Sequence, residues 1–190
     1  IADNVGDNVG DVAGMGADIF DSYVASTVAA MLIGFTGFLT APKEDQVFYT
    51  VLPLILCILG ILASIIGLQL VRVGKNGKPG TALNMATVVT CLIFSGFAAI
   101  LFFSMGWNIG ALIATVSGLG IGVLIGFTTN FFTDDNFGPV RKTADIARSG
   151  SALNIISGVS YGLISTGPSL LGIAAATLAA YFGAEAFGLP

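Results

Sequence analysis

Five aspartates, Asp3, Asp7, Asp11, Asp18 and Asp21, are the residues best placed to do chemistry, because they enter a segment, IADNVGDNVGDVAGMGADIFDSYVAS, that soon becomes purely apolar. At about 100° per residue they fall near 0°, 40°, 80°, 60° and 0° around an α-helix, so one stripe roughly 80° wide carries all of them. With a rise of about 1.5 Å per residue, this carboxylate ladder is roughly 27 Å tall, close to the thickness of a bilayer's hydrocarbon core. Ionised carboxylates four residues apart in a water-poor site repel one another, and each is costly to desolvate unless paired, so a cation belongs among them. The chain has no histidine, and its two cysteines, Cys57 and Cys91, sit apart in apolar runs where packing accounts for them. Oxygen-only donors favour hard cations, and Mg²⁺ typically takes one or two carboxylates together with substrate phosphate oxygens. Asp3, Asp7 and Asp11 are therefore candidate metal ligands of a metal-assisted phosphate site. Asp18 and Asp21 lie deeper, where an ionisable group is by default a candidate for an ion pathway.

Structural explanations cover part of this pattern. DNVG occurs twice in succession, and a helix start favours negative charge, which could account for Asp3 and Asp7. It does not account for Asp18 and Asp21, several turns further in. Gly6, Gly10 and Gly14 fall at about 300°, 340° and 20°, overlapping the acidic stripe, where they suit helix packing somewhat better than close approach of a ligand.

The elements that must position these groups follow from composition. Of 190 residues 55% are hydrophobic and 9% charged, and the mean hydropathy is +0.92, well outside the range of soluble domains. An all-α, polytopic transmembrane bundle is predicted, with five or six membrane-spanning helices in a single domain over 1–190. The acidic helix runs over 1–40, followed by scaffold helices over 46–72, 81–105 and 110–132, because charge-free runs of that length separate short polar loops. The stretch 139–189 forms either two helices or one kinked at Pro168. Pro53 is expected in the first turns of its helix, Pro139 at the start of another, and Trp107 as an interfacial anchor between two spans. The 26 glycines suit backbone-to-backbone helix packing in a membrane. Ile at position 1 and the lack of any lead-in to the first helix predict an internal piece of a longer polypeptide.

Charge sets orientation and excludes one class of partner. Net charge is −4 and the acidic helix contributes five negative charges, so no basic surface for nucleic acid is expected. The loops at 72–78 and 141–148 carry three Lys or Arg each, against one at 41–46. By the positive-inside rule both basic loops are cytoplasmic, which places Asp3, Asp7 and Asp11 on that side too. Arg141, Asp145 and Arg148 stand at helical spacings and are expected to pair mutually at a solvated helix end, with contact to phosphate or anionic lipid as the alternative. Glu185 is expected to be an interfacial carboxylate.

DNVGDNVGD followed by AGMGAD closely resembles the signature of the membrane-embedded pyrophosphatases, ion pumps that hydrolyse cytoplasmic pyrophosphate. TADIARSGSALNIISG is similar to the family's helix after its TEYYT-like segment, with Asn130 in TTNFFT standing where Glu is usual. The resemblance is strongest over residues 2 to 23. It implies that Asp3 and Asp7 help hold Mg²⁺ ions bound to pyrophosphate, that Asp11 orients the attacking water, and that Asp18 lies in the funnel below the hydrolytic centre. Asp21 occupies the position where many bacterial members place a gate glutamate, its arm shorter by one methylene; plant-type members place theirs four residues later, here Ala25. The resemblance also implies a homodimer in the lipid bilayer of a bacterial or archaeal plasma membrane, with K⁺ as a further candidate cofactor.

Together these point to a pyrophosphate-energised pump for H⁺ or Na⁺, with Mg²⁺-dependent hydrolysis and Asp7 and Asp11 as catalytic residues. The alternative is a cation channel or secondary transporter that uses the aspartates as a conduction path without hydrolysis. Residues 1–190 alone are expected to be inactive, since the first helix has no Lys or Arg to grip phosphate.

Overall fold

The computed structural model describes residues 2–39, 42–70 and 79–187. These are helical with no strand among them, and five helices are long and apolar enough to cross a membrane. The basic loop expected at 72–78 lies outside the described residues. The first span, Ala2–Gly37, is continuous but not uniform: α1 (Ala2–Asp7) leads into a π-helical segment (Asn8–Gly14) and then α2 (Met15–Gly37). After it come α3 (Lys43–Leu70), α4 (Pro79–Met105), α5 (Ile109–Thr133), the short α6 (Gly138–Ala147) and α7 (Ser151–Ala186).

Two proline expectations resolve differently. The helix α3 begins at Lys43, before the polar KED run rather than after it, because Glu44 and Asp45 complement the positive end of the helix dipole. Pro53 consequently lies inside the helix and not in its first turns. With no N–H it leaves the Tyr49 carbonyl without its usual helical donor. In α7, Pro168 is accommodated in the same way within a single helix, and the stretch from 139 contains the separate short α6 followed by that one long span.

The chain divides into two compact units, Ile1–Ile61 and Leu62–Pro190. In the first, α2 lies along α3 through a seam of Thr27, Met31, Gly34 and Phe38, spaced four, three and four apart and partly buried. Thr27 Oγ1 lies 3.5 Å from Cys57 Sγ. Phe38 stacks on Tyr49 with ring centroids 3.9 Å apart, and Gln46 Nε2 donates to the Phe35 carbonyl at 3.2 Å. Gly34 abuts the Tyr49 backbone so closely that a Cβ there would stand 2.8 Å from the Tyr49 carbonyl carbon. The carbonyl released by Pro53 is thus the one a glycine of the facing helix approaches.

In the second unit, the turn between α4 and α5 shows how sequence sets a helix reversal. Gly106 takes φ +67, Trp107 N–H donates to the Phe102 carbonyl at 3.0 Å, and the two rings meet edge to face at 5.4 Å. This six-to-one bond and the apolar contact are those of a Schellman motif, which needs glycine at its left-handed position. Asn108 then caps α5, its Oδ1 accepting from Gly110 N–H at 2.7 Å, while its Nδ2 donates to the Phe187 carbonyl at 2.9 Å. One side chain therefore ties the start of α5 to the end of α7. Along the same pair a Cβ at Gly172 would meet Ile121 Cγ2 at 3.1 Å, and one at Gly183 would meet Ile113 Cγ2 at 2.8 Å. Small residues let the backbones approach where apolar burial alone gives no drive in lipid. Among the described residues most large apolar side chains are exposed, and Phe102 is the largest side chain fully enclosed.

Candidate functional site

The acidic helix is built from local rules. Asp3 stands in the first turn of α1, where a carboxylate complements the helix dipole. Asn8 Nδ2 donates back to the Asn4 carbonyl at 2.8 Å, using up the polar side chain that could otherwise compete for the backbone. Asp11 lies within the π-helical segment, and Asp18 in the first turn of α2. All five aspartates are exposed.

The π winding alters the straight stripe expected from α geometry. A wider i→i+5 turn holds more residues, so each advances less than in an α-helix, and over seven residues the lag reaches roughly a quarter to a third of a turn. Asp3, Asp7 and Asp11 then gather within about 40° instead of 80°. Asp18 and Asp21 shift by the whole lag, which sets them roughly 30–65° and 90–125° beyond the edge of that arc. The structure thus brings the upper three onto one narrow arc and does not align the lower two beneath them. Within α2, Asp18 and Asp21 lie roughly 110° to 170° around from the centre of the seam that packs on α3. They point away from α3.

As donors, three carboxylates with no His or Cys nearby fit a hard divalent cation. A single rod cannot close a coordination shell, however, and among the described residues no group of three or more His, Cys, Asp or Glu is assembled to hold a metal. Remaining ligands would have to be substrate oxygens, water and side chains from beyond this chain. The expected pairing among Arg141, Asp145 and Arg148 does not form; Arg141 Nε donates instead to the Asp135 carbonyl at 3.0 Å, because the Asp134–Phe137 turn folds back beside α6.

Two clefts, mostly apolar in their walls but each holding a few polar side chains, escaped the sequence reading. One, of about 520 Å³, runs along α6 and α7 past Thr143, Asn154, Tyr161 and Ser165. The Asn154 Oδ1 atom is buried there without a hydrogen-bond partner. An amide inside the otherwise apolar SALNIISG run was the available signal. The other, of about 380 Å³, is lined by Asn84, Asn130, Asp134 and Asn136. Asp134 Oδ1 accepts from the backbone N–H of Asn136 at 2.8 Å and from its side-chain amide at 2.7 Å. Asn130 thus faces a cluster of amides and a carboxylate at the end of α5.

Comparison with known proteins places the whole chain. The sequence profile of the family described as inorganic H⁺ pyrophosphatase matches residues 1–190. A Clostridium tetani protein, named provisionally as a K(+)-stimulated pyrophosphate-energized sodium pump, is 43% identical over 182 residues, covering 96% of this chain and 26% of that protein. The K(+)-insensitive pyrophosphate-energized proton pump of Methanosarcina mazei is 42% identical over 183 residues, covering 96% of this chain and 26% of its own. The K(+)-insensitive pyrophosphate-energized proton pump 2 of Moorella thermoacetica is 37% identical over 195 residues, covering 100% and 28%. The chain therefore spans about a quarter of the length of the curated relatives it matches. No solved structure gives a significant match. With the profile matched from end to end, the chain belongs to the inorganic H⁺ pyrophosphatase family.

Proposed function

We propose that this chain supplies the acidic helix of a pyrophosphate-energised ion pump, in which hydrolysis of cytoplasmic diphosphate is coupled to movement of H⁺ or Na⁺ across the membrane. The observation that carries the reading is the family match over residues 1–190, joined to five aspartates on one membrane-length helix. Relatives named as pumps for either ion support the choice of cargo class.

In this reading Asp3, Asp7 and Asp11 hold Mg²⁺ together with the diphosphate. Bound there, Mg²⁺ would neutralise the substrate and stabilise charge on the leaving phosphate. Asp7 and Asp11 are the catalytic pair: Asp7 would help hold the metal and the diphosphate, and Asp11 would accept a hydrogen bond from the attacking water and orient it. No covalent nucleophile is needed. Asp18 and Asp21 form the ion pathway below, with Asp21 as the gate. Their position away from the α2–α3 seam leaves them open to whatever lines the rest of that path. The acidic end lies on the cytoplasmic side by the distribution of Lys and Arg. The resemblance makes a homodimer the expected assembly, with K⁺ as a candidate activator.

Membranes containing the full-length protein are expected to release phosphate from pyrophosphate only when Mg²⁺ is present. Ion flux without any phosphate release would favour a channel or secondary transporter and overturn the reading.

A further inference from the structure

The cleft along α6 and α7 combines apolar walls with one buried, unsatisfied acceptor, and we propose that it binds an anionic phospholipid whose headgroup carries a free hydroxyl, of the phosphatidylglycerol type. The hydroxyl donates to Asn154 Oδ1, the phosphate meets the basic edges of α6, and an acyl chain lies along α7.

Asn154 creates the demand for a donor. Its Oδ1 is buried without a hydrogen-bond partner, although the space it lines, about 520 Å³, has room for one. Buried acceptors are nearly always satisfied, and an orphaned one costs free energy until something donates to it. The hydroxyls that share the cleft are engaged with the backbone. Thr143 Oγ1 donates to the Pro139 carbonyl at 2.9 Å, and Ser165 Oγ to the Gly162 carbonyl at 2.7 Å. With 36 residues, α7 is roughly 54 Å long against about 30 Å of hydrocarbon, so its first turns reach the headgroup layer. Asn154 stands there, one turn from Ser151.

The walls suit the rest of the lipid. Gly158, Tyr161, Gly162 and Ser165 share the Asn154 face of α7 within an arc of about 100°. A Cβ at either glycine would meet nothing within 4 Å, so their missing side chains open a channel. From Asn154 to Ser165 it runs roughly 16 Å, about half the hydrocarbon thickness and thus the depth of one leaflet. Opposite, Pro139, Val140, Thr143, Ala144 and Ala147 line it from an arc of about 140° on α6. Arg141 and Arg148 stand within about 60° of one edge of that arc and Lys142 about 60° from the other, with Asp145 on the far side. Positive charge therefore borders the cleft on both sides and favours an anionic headgroup. Arg141 is anchored through Nε to the Asp135 carbonyl, which leaves its other N–H groups to donate. A zwitterionic lipid would bring an ammonium among these cations.

Native mass spectrometry of the delipidated full-length protein, titrated with phosphatidylglycerol, phosphatidylmethanol or phosphatidylcholine of identical acyl chains, reads the affinity of the first bound lipid. Phosphatidylmethanol keeps the charge and lacks the hydroxyl. Phosphatidylglycerol should bind about tenfold more tightly than phosphatidylmethanol, the worth of one hydrogen bond, and phosphatidylcholine should bind most weakly. Asn154→Leu should bring phosphatidylglycerol down to the phosphatidylmethanol level and leave phosphatidylmethanol unchanged, whereas Gly158→Leu should weaken both. Wild-type protein that binds phosphatidylglycerol no more tightly than either other lipid overturns the proposal, a result that depends on no variant. So does a hydroxyl preference that survives Asn154→Leu, or undiminished binding in Gly158→Leu.

Discussion

Asp11 and Asp21 carry different predictions because Asp11 lies within the π-helical segment, beside the upper carboxylates, and Asp21 lies beyond it in α2. Asp11→Asn keeps the size of the side chain but removes the charge proposed to orient water, so phosphate release should fall about 100-fold while the protein still assembles in the membrane. Near-normal turnover would remove Asp11 from its role. Asp21→Ala should abolish pyrophosphate-driven ion uptake by vesicles, and unchanged uptake would reject it as gate. The residue types at both positions were legible, since carboxylates inside an apolar helix announce themselves. Their relative angle was not. A wide turn leaves no periodic mark in the sequence, and Gly6, Gly10 and Gly14 recur every four residues whichever way the backbone winds. Gly34 was equally silent, because its necessity depends on the Tyr49 carbonyl of another helix, freed by Pro53. Gly34→Ala would set a Cβ 2.8 Å from the Tyr49 carbonyl carbon, an overpacking that should cost about 1–3 kcal/mol. Thermal unfolding of the purified protein checks this, and a wild-type midpoint would contradict it.

At the scale of elements, the membrane spans follow from uncharged runs of sufficient length, and polar stretches mark where they end. What composition does not display is how charge is used at a boundary. The KED run reads as loop because it is polar, yet it forms the first turn of α3 because acidic residues stabilise a helix start. The end of α4 is more readily understood from its atoms than from hydropathy. Trp107 there is half-buried against Phe102 and serves the Schellman turn, beyond any part it plays as an anchor at the interface. Asn108 does two things at once, capping α5 and holding the last carbonyl beyond α7. Asn108→Ala removes both bonds and should lower stability by about 1–2 kcal/mol without affecting the chemistry of the acidic helix. The matching readout is a lower unfolding midpoint with unchanged phosphate release per folded protein. Loss of turnover with unchanged stability would contradict this assignment.

At the scale of the whole molecule, this chain spans about a quarter of its curated relatives' length. The carboxylates of the acidic helix stand exposed, and that helix carries no Lys or Arg to grip a phosphate. Purified residues 1–190 should accordingly show no turnover of pyrophosphate, and measurable hydrolysis by them would contradict the division of labour. The family was legible because the repeated acidic motif is specific and lies within one helix. Closure of a site was not, because among the described residues no group of three or more His, Cys, Asp or Glu is assembled around those aspartates. The most direct test of the account is simultaneous measurement of phosphate release and ion uptake in sealed vesicles holding the full-length protein, with pyrophosphate outside and Mg²⁺ added or withheld. Both signals should appear together with Mg²⁺ and vanish together in Asp11→Asn, whereas uptake that continues in that variant while phosphate release is lost would contradict coupling through this helix.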